Sequence, residues 1–241
     1  MERLIISALE ELSSYDASTV RKGIRHIEGL LGQLCLKAGH AIPSDDAFHA
    51  FLRLQDDFRY NMCTRLIPLL ERKVDGSMDA DDKIIASCLN LLGGILLLHR
   101  SSRDLFSQQY NMRALLVLLD HNNPSTIQMP TLHVVVCALV DSPVNMRVFE
   151  FLDGLATVTS LFKHSKTAHA VKIQLLEFMY FYLMPEGKPL SEAWLSNKGL
   201  GLESGTRVKS TQEKSIMLGE FLPNVNFMVR DLEESDFQPF G

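Results

Sequence analysis

The residues with chemical potential fail the spacing tests for catalysis. His99-Arg100 followed by Arg103-Asp104-Leu105-Phe106 has the outline of a kinase catalytic loop, in which an aspartate takes the proton of a substrate hydroxyl. The chain has no glycine-rich phosphate loop, no strand lysine and no Asp-Phe-Gly to go with it. A cysteine-dependent phosphatase needs an arginine six residues after its nucleophile, to cradle the phosphate. After Cys35, Cys63, Cys88 and Cys137 those positions hold Ala41, Leu69, Gly94 and Pro143. There is no Gly-x-x-x-x-Gly-Lys-Ser/Thr phosphate loop, no His-Glu-x-x-His and no Gly-x-Ser-x-Gly. His164 and His169 are candidate metal ligands, but Lys163 and Lys166 flank them and no carboxylate or thiolate completes a shell. A solvated helix junction fits better, and neither a metal nor a cofactor is expected.

Charge and composition narrow the class further. The 241 residues carry a net charge of −5 and are 46% hydrophobic. Split at residues 58, 98 and 183, the chain carries −3, 0, +1 and −3. No segment is basic enough to neutralise nucleic-acid phosphates or an anionic membrane. The N-terminus, Met1-Glu2-Arg3-Leu4-Ile5-Ile6, is not a basic and then apolar signal peptide, so an intracellular protein is expected. The longest apolar run, Ile84 to Leu98, is shorter than the roughly 20 residues that span a bilayer. The scattered cysteines read as reduced, packed thiols rather than disulfides or zinc ligands.

The elements that must position any site are helices. Leu4, Ile5, Ala8, Leu9 and Leu12 form one apolar stripe. Val20, Ile24, Ile27, Leu31 and Leu34 form the next, after a cap offered by Asp16, Ser18 and Thr19. A third helix is expected after Pro43 with Phe48, Phe51, Leu52 and Leu54 on its apolar side. A fourth runs from about 61 to 71, bent at Pro68, and a loop over 75–79 leads into a long helix from about 80 to 98. Gly93-Gly94 in that helix suits the close approach of another helix.

Beyond residue 100 the pattern repeats. An offset of 43 pairs Phe106 with Phe149, Met112 with Leu155, Leu115 with Val158, Leu118 with Leu161 and His121 with His164. The same offset pairs Leu132 with Leu175, Val135 with Phe178 and Leu139 with Tyr182. A short, a medium and a long helix thus recur with the period of armadillo and HEAT units, which is roughly 40 to 47 residues. The expected fold is all-α, an armadillo/HEAT-like right-handed helical solenoid. The β-branched run His133-Val134-Val135-Val136 favours a strand locally, but it lies inside a segment, 125–140, that matches the helical 168–183. The repeat overrides it, and Pro130 is expected to kink the helix.

Residues 1–184 are therefore read as a helical repeat domain and 185–209 as a partly mobile loop. Residues 210–241 are read as a C-terminal helix, Thr211 to Leu222, and an acidic tail on the last repeat. Phe237 and Phe240 in that tail either dock on the last repeat or bind a partner. On the last long helix, Gln174, Glu177 and Phe181 stand off the apolar stripe at i, i+3 and i+7, with Tyr180 beside them. An aromatic on a polar face is a candidate contact with a partner, and packing of Tyr180 and Phe181 against the C-terminal helix around Phe221 is the equal alternative. Arg103, Arg113 and Arg147 sit near helix starts. They either meet an acidic partner surface, the role for which Arg147 is retained as a candidate, or bridge neighbouring repeats, which one arginine per repeat favours.

Several blocks carry a family resemblance. These are Phe162-Lys163-His164, the run from Gln174 to Glu186 (Gln-Leu-Leu-Glu-Phe-Met-Tyr-Phe-Tyr-Leu-Met-Pro-Glu), Thr211-Gln212-Glu213-Lys214, Phe221-Leu222-Pro223-Asn224-Val225 and Phe237-Gln238-Pro239-Phe240-Gly241. With Gly23-Ile24-Arg25-His26-Ile27-Glu28, Leu54-Gln55-Asp56 and Arg147-Val148-Phe149-Glu150, they resemble the fungal cell division control protein 14 family of the septation initiation network. That family shares only its name with a dual-specificity phosphatase. The likeness is loose over 74–83 and 187–208. It implies a non-catalytic subunit that binds and supports a germinal-centre-type protein kinase, one to one. It also implies residence in the cytoplasm and, late in mitosis, at the spindle pole body, where septum formation is promoted. A general armadillo-type peptide-binding adaptor is the alternative. Asn90, then His133 or Thr131, then Gln174 do not form the asparagine ladder that such an adaptor uses.

Overall fold

A computed structural model describes residues 1–38, 46–77, 81–186 and 208–234, the side chains of 35–38 excepted. Every regular element among them is helical. The helices are α1 (Glu2–Leu12), α2 (Ala17–Ala38), α3 (Asp46–Asp56), α4 (Cys63–Val74) and α5 (Asp82–Leu98), then a 3-10 helix (Arg100–Ser107). They continue with α6 (Gln109–Leu118), α7 (Ser125–Leu139), α8 (Pro143–Phe151), α9 (Gly154–Lys163), α10 (His169–Leu183), α11 (Thr211–Gly219) and α12 (Val225–Glu234).

The helices start and stop for local reasons. The Asp16 carboxylate accepts from the Ser18 and Thr19 hydroxyls and from the Thr19 N–H, which caps α2. Those hydrogen bonds hold its pKa far below the usual carboxylate range. Asp81 accepts from the Lys83 N–H to open α5, and Ser142 with Pro143 at the first position opens α8. Pro68 lies inside α4 on its exposed side. Gly76, at φ 72, provides the left-handed turn after α4 that an L side chain resists.

Burial follows the predicted stripes of α1 and α2 except at Leu4, and in α3 only Phe51 of the predicted stripe is buried while Phe48, Leu52 and Leu54 are half-buried. Ile5, Ala8, Leu9 and Leu12 are buried in α1, whereas Leu4 is 45% exposed. Val20, Ile24, Ile27, Leu31 and Leu34 are all buried in α2. The run Val134-Val135 is helical and buried, so packing between neighbours outweighs the strand propensity of valine. Helix α7 buries residues on most of its circumference, as helices with neighbours on several sides do, whereas α10 buries one side only and leaves Ile173, Leu176 and Glu177 exposed.

The 43-residue offset holds at the level of elements. Shifted by 43 residues, the 3-10 helix falls on α8, α6 on α9 and α7 on α10, each to within two residues. Helix α5 packs most extensively on α7, and α7 in turn packs on α10. The 3-10 helix packs on α8, and α8 on α9.

The C-terminal region differs from expectation. The helix predicted to reach Leu222 ends at Gly219, and a second, unexpected helix, α12, spans Val225–Glu234 and takes in the start of the acidic tail read from Asp231 onward. Val225 and Met228 are buried there, with Val229 and Leu232 packed beside them, an i, i+3, i+4, i+7 stripe hidden behind Pro223 and the acidic run. Leu218, Val225 and Met228 join the same apolar cluster as the preceding helices. Phe237 and Phe240 lie outside the described residues, as does most of the segment 185–209 that was expected to be a loop.

Candidate partner-binding groove

Three of the candidate residues converge on one cavity. Gln174, Glu177 and Phe181 of α10, with Phe178, face Leu132, His133 and Val136 of α7 across a cavity of about 250 Å³. Their i, i+3, i+7 spacing puts them on one flank of α10, while Leu175, Phe178, Met179 and Tyr182 are driven into the core. Aromatic rings lead from the cavity inward: Phe181 lies 6.1 Å from Phe178, and Phe178 lies 5.5 Å from Phe149. A second cavity of about 110 Å³ is lined by Ser142, Pro143, Met146, Met184, Glu186 and Lys214 among others, and Phe181 borders that one too.

The wall opposite depends on a glycine. A Cβ at Gly93 would come within 2.9 Å of His133 Cδ2, so the bare backbone of α5 lets the His133 ring lie against it. At Gly94 nothing lies within 4 Å, so close approach explains the first glycine and not the second. The Cys137 sulfur is 3.6 Å from His133 Nε2.

The polar groups of the cavity are strikingly few in partners among the described residues. Glu177 is exposed and makes no ion pair or hydrogen bond among them. The Gln174 Oε1 is buried and accepts no hydrogen bond among the described residues.

Tyr180 and Arg147 are placed elsewhere. The Tyr180 hydroxyl donates to Asp231 Oδ2 of α12 at 3.0 Å, and that hydrogen bond raises its pKa. Tyr180 therefore packs against the C-terminal helices while Phe181 lines the groove, which divides the two residues that the sequence left together. The Phe221 carbonyl accepts from Lys163 instead.

Arg147 belongs to an internal ionic cluster. It pairs with Glu150 at 3.1 Å and with Glu186. Lys209 Nζ lies 2.6 Å from Glu150 Oε2, and the Lys209 N–H donates to Glu186 Oε2 at 3.0 Å. Lys214 Nζ lies 3.2 Å from Glu186 and donates to the Met184 carbonyl at 2.9 Å. The Tyr182 hydroxyl donates to Glu150 at 2.9 Å. Burial lowers the pKa of Lys214 and raises that of Tyr182. Only the Arg147–Glu150 step of this cluster is local in sequence, at i, i+3; the sequence did not suggest it, and Glu186 and Lys209 are 23 positions apart.

Arg103 bridges main chains. It donates to the Leu96 and Val140 carbonyls at the C-terminal ends of α5 and α7, both at 3.0 Å. Burial lowers its pKa. Arg113 is exposed.

One arrangement resembles a hydrolytic relay that the sequence did not suggest. Asp56 Oδ1 is 3.0 Å from His99 Nε2, and His99 Nδ1 is 2.8 Å from Ser102 Oγ. Ser102 is only 1% exposed, and its Oγ also accepts from Asn61 Nδ2 at 2.9 Å. No substrate carbonyl reaches a hydroxyl so enclosed, so the relay serves to join α3 and α4 to the 3-10 helix. His164 lies with its ring 4.7 Å from that of His121, its equivalent at the 43-residue offset. Cys63, Cys88 and Cys137 are buried free thiols, and burial pushes Cys63 up to about 12. No single described helix is long and apolar enough to cross a membrane.

These features define an all-helical protein with an open groove between two long helices. Comparison with known proteins gives the family. The model of Cell division control protein 14, SIN component, matches residues 1–44 and 37–240. Cell division control protein 14 of Schizosaccharomyces pombe is 31% identical over 252 residues, covering 100% of this chain and 97% of that protein. No solved structure matches. The chain belongs to the Cell division control protein 14 family of septation initiation network components, a family of cell division proteins and not the phosphatase.

Proposed function

We propose that this chain is a non-catalytic regulatory subunit that binds and supports a germinal-centre-type protein kinase, one to one, and so promotes cytokinesis and septum formation. The observation that carries the reading is the convergence of Gln174, Glu177 and Phe181 on one open cavity between α7 and α10. The repeat of the 3-10 helix, α6 and α7 as α8, α9 and α10 supports an armadillo/HEAT-like right-handed solenoid whose long helices, α5, α7 and α10, form the docking face. The kinase lies along that face, and contact there favours the active position of its regulatory helix. A preference of about 1–3 kcal/mol for the active state raises activity roughly 5- to 150-fold. Residence in the cytoplasm, and at the spindle pole body late in mitosis, belongs to the same reading. The enclosed Ser102 supports a subunit without activity of its own.

The test is capture of the kinase by the full chain and by the Phe181→Ala, Glu177→Lys double variant, with melting temperature measured in parallel. Loss of an interface anchor of about 2 kcal/mol predicts a roughly 30-fold weaker complex at unchanged stability. Unchanged capture by a stably folded double variant overturns the groove as the docking site.

A further inference from the structure

The groove between α7 and α10 carries chemistry that selects what enters it. Its floor is apolar, made by Leu132, Val136, Phe178 and Phe181. Among the seven lining residues there is no lysine and no arginine. Glu177 offers an exposed carboxylate with no partner among the described residues, and Gln174 Oε1 is a buried acceptor without a donor. The Nε2 of His133, the third polar side chain, faces the Cys137 sulfur at 3.6 Å within its own helix.

An exposed carboxylate thus stands beside an apolar floor with no cation among the lining residues. A ligand that brings a carboxylate meets Glu177 with like charge, whereas one that brings a cation pairs with it.

We propose that the groove takes a short peptide segment with a large apolar side chain seated over Val136, Phe178 and Phe181 and an arginine or lysine beside it paired with Glu177. This deepens the reading above, naming the chemistry of the partner segment at the same site, but it does not require that the partner be a kinase. Charge complementarity selects the segment, and the apolar side chain provides most of the contact.

The test uses the full chain and two fluorescent 12-residue helical peptides that share leucine and phenylalanine positions and differ only in carrying arginine or glutamate at the flanking positions. Fluorescence anisotropy at low salt is expected to show at least a tenfold preference for the arginine peptide. Glu177→Lys, a change at an exposed position, is expected to reverse that preference, and Phe181→Ala to weaken both peptides. Equal affinity for the two peptides, a preference untouched by Glu177→Lys, or no binding of either peptide overturns the proposal. Charge-selective peptide binding without kinase capture leaves this proposal standing and removes the kinase reading. Kinase capture that is sensitive to Phe181→Ala, with no charge preference among peptides, does the reverse.

Discussion

Two arginines forty-four positions apart close two successive junctions by different means. Arg103, on the 3-10 helix, spends its guanidinium on main-chain carbonyls at the ends of α5 and α7. Arg147, on α8, meets two carboxylates, Glu150 and Glu186, in a cluster that also holds Lys209 and Lys214. At the first junction Arg103 satisfies neutral helix ends, where the macrodipole already favours positive charge, and faces one half-exposed carboxylate, Asp141, only at 3.9 Å. At the second, three cations share two buried carboxylates, so the balance of charge decides what each side chain contributes. Arginines one position out of register in successive repeats, for Arg103 aligns with Met146 at the 43-residue offset, therefore need not share energetics.

The comparison can be broken by substitution. Glu186→Leu removes one of two anions and leaves three cations facing Glu150 alone, so it is expected to destabilise by about 3–5 kcal/mol, read in urea unfolding. Arg103→Met strands two carbonyls that shared a charged donor, and about 2–3 kcal/mol is expected. Arg147→Met leaves two lysines matched to two carboxylates and is expected to cost only about 1–2 kcal/mol. If Arg147→Met proves costlier than Arg103→Met, the balancing role of the lysines is wrong.

The smallest effect is a pH dependence. Burial, and after it the charge of Glu150, raises the pKa of Tyr182. The folded chain therefore keeps a proton that the unfolded chain loses near pH 10, at about the ordinary phenol value. The stability this provides is full below that pH and is lost as pH rises through the folded value. Thermal melts at pH 9 and pH 11 are expected to separate less for Tyr182→Phe than for the parent chain. Equal slopes would exclude a titrating role for this phenol.

Much of the helical order was legible because burial imposes a period on the sequence. Helix α7 was expected over 125–140 and spans Ser125–Leu139, despite its valines, because its apolar positions matched those of α10. Glu177 and Phe181 were legible as standing off the apolar stripe of α10, which Val171, Leu175, Phe178, Met179 and Tyr182 form. Tyr180 was not separable from Phe181, since neighbours on a helix point about 100° apart and only the position of α12 decides which of them is covered. The clusters around Glu186 and Ser102 join residues from distant parts of the chain, and no local spacing announces such partners. The stripe of Val225, Met228, Val229 and Leu232 was present in the sequence but masked by the proline before it and the acids within it.

The hydrogen bond from the Lys209 N–H to Glu186 has a consequence for how the chain tolerates change. It joins two residues 23 positions apart in the sequence, and Arg147 and Lys214 hold the same Glu186 carboxylate from α8 and α11. With Lys209 also on Glu150 and with Leu218, Val225 and Met228 in the apolar cluster of the preceding helices, the C-terminal helices are held by contacts and not only by the peptide chain. A chain cut once between Glu186 and Lys209 is therefore expected to stay together as two associated pieces.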